Sequence, residues 1–84
     1  MKSLYELLKR EHEIVEEIRK YEYDAYCFTR EIEWCNDYKP DCKGKTEDIA
    51  RFEQLISDRE LAITNSKTEL LLVRRDIKRY FEER

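Results

Sequence analysis

Apolar residues recur along this chain at alternating steps of three and four, in two series separated by a short polar stretch. The first series is Leu4, Leu7, Glu11, Ile14, Ile18, Tyr21, Ala25, Phe28, Ile32 and Cys35. The second is Ile49, Phe52, Ile56, Arg59, Ile63, Ser66, Leu70, Val73, Ile77 and Tyr80. A repeat averaging 3.5 residues keeps one edge of a helix turned toward a single partner helix. Laid one on the other in opposite directions, the series match layer by layer: Cys35 with Ile49, Phe28 with Ile56, and outward to Leu4 with Tyr80. The pattern predicts an all-α fold, a coiled-coil-like antiparallel two-helix hairpin forming one domain over residues 1–84.

Local signals set the expected boundaries. Ser3 and Glu6 have the spacing of a capping box, so the first helix is expected over about 3–37. Pro40 disfavours a helical conformation at Lys39 and places the loop at about 38–45. Gly44, the only glycine, offers a permissive backbone for the return, and Thr46 before Glu47 and Asp48 is the expected cap of a second helix over about 46–83. The stretch Thr64-Asn65-Ser66-Lys67-Thr68 has low helix propensity, and Ser66 with Glu69 repeats the capping-box spacing, which opens the alternative of a break and three helices. The heptad phase runs through Ile63, Ser66 and Leu70 without slipping, which favours a continuous helix.

Three layers of the seam are polar: Glu11 with Val73, Ile18 with Ser66, and Ala25 with Arg59. Arg59 is expected to run its stem past the small Ala25 and set its guanidinium in water beside Asp24 or Glu22. Leu8, Val15, Leu55, Ala62 and Phe81 flank the seam, and Leu61, Leu71 and Leu72 lie further round the second helix. So wide an apolar arc exceeds what one partner helix covers. It predicts a homodimer in which two hairpins close a four-helix bundle.

Composition narrows the function classes. Ala, Glu, Lys, Leu and Arg make up half of the 84 residues, as in long helices, and one Gly and one Pro leave few turns. A chain of this size has little room for a closed catalytic cavity. Residues 3–37 carry five basic and ten acidic side chains and residues 46–84 carry eight and nine, so the net charge of −3 lacks the basic excess of a general nucleic-acid binder. No apolar run reaches membrane-spanning length and the start has no signal-peptide pattern, so the expected location is cytoplasmic, with no membrane partner. Small helical proteins of this composition are common among phages and archaeal viruses, a compositional analogy only.

The candidate partner-binding face is the stripe Tyr23, Tyr26, Arg30 and Trp34, with Cys27 among them, on the side of the first helix away from the seam. Tyr, Trp and Arg dominate interface energetics because each joins large area to a polar handle. This favours a non-enzymatic adaptor or inhibitor docking on a larger intracellular protein. An alternative is an RNA- or DNA-binding hairpin using Arg74, Arg75, Lys78 and Arg79, which also lie where the helix dipole favours cations. A further alternative is an oligomer with a small-ligand pocket between subunits.

No cofactor, metal or catalytic residue is expected. Gly44-Lys45-Thr46 ends like a phosphate-binding loop, but the earlier glycine of that motif would fall on Lys39 and no strand precedes it. His12, the only histidine, is far from the three cysteines, too few ligands for zinc. Cys35 reads as a small seam residue, with a Cys35–Cys42 bridge as the alternative in an oxidising setting.

Overall fold

The computed structural model describes residues 2–83. Two helices account for nearly all of them: α1 over Leu4–Tyr38 and α2 over Lys43–Glu82. They pack antiparallel into a rod of 64 × 14 × 14 Å. Every position of both heptad series is buried or half-buried. The alternation of three and four therefore marks the seam without exception, including its polar members.

The start of α1 follows the cap signal. Ser3 is extended, and its hydroxyl accepts a hydrogen bond from the Glu6 amide at 3.2 Å. At the other end Lys39 leaves the helix in an extended conformation, φ −85° and ψ 139°, as a residue before proline prefers. Its amide donates to the Cys35 carbonyl.

The loop is shorter than expected, and two of its predicted devices are not used. Extended backbone at Lys39 and Cys42 makes the reversal within residues 39–42, a length adequate for adjacent antiparallel helices. Cys42, not Thr46, is the N-cap of α2, and its carbonyl accepts the Thr46 amide at 3.2 Å. The Thr46 hydroxyl turns back on the same carbonyl, at 3.4 Å, so Thr46 behaves as a helical residue. Gly44 lies within the first turn of α2 with no positive φ, so its conformational freedom is not needed.

α2 continues through Thr64–Thr68. The hydroxyls of Thr64 and Thr68 each donate to the carbonyl four residues back, at 3.1 Å, and Ser66 is buried in the seam. Local bonding thus absorbs the side chains that argued for a break.

The seam is uneven along its length. Leu7, Ile14, Ile18, Leu70 and Val73 form the buried cluster, with Val15, Ile63 and Ile77 against it, all in the half remote from the loop. The half near the loop is packed by half-buried rings, Phe28 on Phe52 with centroids 6.1 Å apart, and only Cys35 is fully enclosed there. Two helices alone cannot surround a phenyl ring, so its outer edge stays wet. Arg59 fills the layer opposite Ala25 as expected: its Nε donates to Asp24 at 3.1 Å and its guanidinium lies 5.9 Å from the Phe28 centroid.

Candidate functional site

The two flanks of the seam differ. Along one, Arg10 on α1 reaches Glu69 on α2 and also Glu13 and Glu17 on its own helix, and Arg59 holds Asp24. Glu69 raises the Arg10 pKa. Lys39 pairs with Asp48 where the helices leave the loop; the ammonium holds that carboxyl below the usual range and is itself raised. Half-buried Leu55 and Ala62 lie beneath this lattice of ion pairs.

The opposite flank is open. Val15, Ile18, Leu70 and exposed Leu71 line a shallow groove of about 580 Å³ together with Arg19, Glu22, Lys67 and Arg74. Leu8 and Phe81 carry the same heptad phase toward the chain ends and are exposed. The apolar residues flagged beside the seam thus divide, Leu55 and Ala62 to the closed flank and Leu8, Val15 and Phe81 to the open one. Across the groove mouth Arg74 bonds to the other helix, its Nε donating to Glu11 at 3.0 Å.

On the outer face of α1, Tyr23, Tyr26 and Trp34 are 67%, 62% and 50% exposed, which for such large side chains leaves a substantial aromatic surface in water. Regular helix puts them on one face with Arg30, whose guanidinium donates to Glu33 at 3.1 Å. Cys27 is half-buried one turn beyond Tyr23, and its proximity raises the phenol's pKa. The stripe runs further than the sequence suggested. Because α1 includes Tyr38, its ring lies tilted against that of Trp34 with centroids 5.9 Å apart, and Lys39 places its ammonium 6.0 Å from the indole. The spacing of Trp34 and Tyr38, one turn apart, holds the signal, although the expected loop of 38–45 includes Tyr38.

The basic cluster is exposed: Arg74 with Lys78 and Arg75 with Arg79, each pair one turn apart, form two adjacent columns on one side of α2. Arg75 pairs with Asp76 at 3.8 Å and Lys78 with Glu82 at 3.7 Å, while Arg74 holds Glu11. Glu13, Glu16 and Glu17 on α1 bond within their own helix, to Arg10 or Arg19.

Cys27, Cys35 and Cys42 are free thiols, so the Cys35–Cys42 bridge is not formed. Cys35, only 2% exposed, serves the seam, while Cys42 caps α2 from the surface. Among the described residues no group of three or more His, Cys, Asp or Glu side chains could hold a metal ion. Nor is any helix among them long and apolar enough to cross a membrane. Lys45 donates to Asp41 at 2.9 Å and lowers that carboxyl's pKa, so the cation nearest the Gly-Lys-Thr sequence already has an anion. Comparison with protein-family models, curated proteins and solved structures finds no match to this chain.

Proposed function

We propose that this protein is a non-enzymatic interaction module, a small adaptor or inhibitor that docks on a larger intracellular protein through Tyr23, Tyr26, Arg30 and Trp34. The observation that carries the reading is the run of exposed aromatic rings on one rigid helix face, lengthened by Tyr38 and Lys39. Helical backbone fixes the rings before binding, so little conformational entropy is lost on docking. We further read the hairpin as self-associating into a four-helix bundle. The open apolar flank supports this, since a lone hairpin leaves Leu8, Leu71 and Phe81 in water.

The test is capture of partners from cell extract by wild type, Trp34→Ala and Arg75→Glu. A central Trp contributes roughly 2 kcal/mol or more, so Trp34→Ala should weaken a specific partner by about thirtyfold while Arg75→Glu retains it. If Trp34→Ala keeps every protein partner and Arg75→Glu abolishes retention of nucleic acid, the nucleic-acid reading replaces this one.

A further inference from the structure

The open flank carries a charge sequence that is complementary to itself. On α2 the residues along that edge recur every seven positions as Glu53, Glu60, Lys67 and Arg74, two acids followed by two bases. Reversed, the series matches its own opposite, Lys67 against Glu60 and Arg74 against Glu53. On α1 the side of the groove carries Arg19 and Glu22, which exchange with one another under the same reversal. The pivot of the α2 series lies between Glu60 and Lys67, at Ile63, and that of the α1 pair lies at Tyr21. Tyr21 and Ile63 are the two members of one seam layer, so both helices place the axis at one height.

We propose that a second copy of this chain covers the open flank, antiparallel to the first, about a two-fold axis at the Tyr21–Ile63 layer. This rests on the reading that the hairpin self-associates and adds the face and the register. In this arrangement α2 faces the α2 of its partner, Lys67 meets Glu60 and Arg74 meets Glu53, each twice by symmetry. Arg19 meets Glu22 in the same way on α1. Charges beside an apolar seam set partner choice and orientation.

Three observations favour this occupant. Glu22, Glu53, Glu60 and Lys67 form no ion pair within the chain among the described residues, while Arg74 and Arg19, which hold Glu11 and Glu16 in the single hairpin, would exchange those partners for Glu53 and Glu22 of the second copy. The apolar groove of Val15, Ile18, Leu70 and Leu71 lies on the same flank, so the partner would cover apolar surface as well as pair charge. The rod also has the right size. A face of 64 × 14 Å gives a footprint of roughly 900 Å², close to the roughly 800 Å² per partner of a stable interface. Tyr23, Arg30 and Trp34 stay outside the contact, while Tyr26, seven residues beyond Arg19 on the same side of α1, borders it, so the dimer would present two docking stripes each flanked by the interface.

Sedimentation equilibrium on the full chain tests the proposal, with circular dichroism to verify that each variant stays helical. Wild type should show twice the 10.4 kDa chain mass, with a Kd that rises with salt. Lys67→Glu and Glu60→Lys should each raise that Kd by at least about tenfold, since each puts like charges together at two places. The combined variant E60K/K67E should return toward wild type, and E53R/R74E should do the same for its own single changes. A chain that remains at 10.4 kDa at high concentration overturns both the register and the four-helix reading. A dimer indifferent to the single changes overturns the register alone. So does rescue of Lys67→Glu by Glu22→Lys in place of Glu60→Lys, because Lys67 faces Glu22 when two hairpins dock parallel. The aromatic docking proposal survives any of these results.

Discussion

Replacing Ile14 by alanine probes the uneven seam most directly. Its side chain is 0% exposed, the most enclosed in the buried cluster. The change deletes three carbons, roughly 2.4 kcal/mol at about 0.8 kcal/mol per buried methylene. A residual cavity adds to this, and the better helix propensity of alanine offsets a few tenths. The net expectation is a loss of about 3 kcal/mol, a large share of the stability of a small domain. Ile56→Ala supplies the comparison, being a seam isoleucine of the same chemistry but only half-buried, in the half near the loop. It should cost about 1–1.5 kcal/mol, because its site was already partly open to water. Urea denaturation followed by helical ellipticity, at one fixed protein concentration to hold any association constant, measures both. By heat, Ile14→Ala should lower the midpoint by about 12–24 °C. A loss below about 1 kcal/mol at Ile14, or an equal loss at Ile56, would refute the argument that the remote half carries the fold.

Two other expectations are simpler to check. Ser66→Ala should leave stability unchanged or raise it by about 0.5 kcal/mol, since alanine is the better helix former and no hydrogen bond from the Ser66 side chain holds the layer. A marked loss in the urea midpoint would show that the hydroxyl is structural. The Lys39–Asp48 pair should give the loop end a pH dependence at both extremes. Asp48 is lowered by its bond to Lys39, so its stabilising effect holds above the ordinary carboxylate value of 3.8 and fades as the pH falls below it. Lys39 is raised by the same bond, so its effect holds up to 10.5 and fades above that. Thermal midpoints of Lys39→Met/Asp48→Asn against wild type should converge at both extremes and separate between them; a constant difference across pH would contradict this.

The periodic part of the fold was legible in the sequence because a hairpin offers one solution to two matching apolar edges. That is why Arg59, Ser66 and Glu11, polar residues on seam positions, were assigned correctly against their own preferences. The bend was less legible. Thr46 and Gly44 have the chemistry of a cap and a turn, but the distance between two packed helices is short, and extended backbone at Lys39 and Cys42 already spans it. α2 therefore begins at Lys43, and Thr46 falls within its first turn. Heptad spacing identified the flanking apolar residues but not which flank would close. That depended on long-range ion pairs such as Arg10 with Glu69, between residues whose proximity only the hairpin register creates.

The position of the buried cluster bears on how the chain reaches its native state. The bend forms from neighbours in sequence, so pairing can start there at small entropic cost. Yet the early layers near it are the weakly enclosed ones, and the strongest lie where Ile14 and Leu70 meet, roughly 56 residues apart along the chain. A zipper that tightens only at its far end has no stable resting point on the way. Partly closed forms should therefore be scarce, and the two helices should gain and lose their order as a single unit.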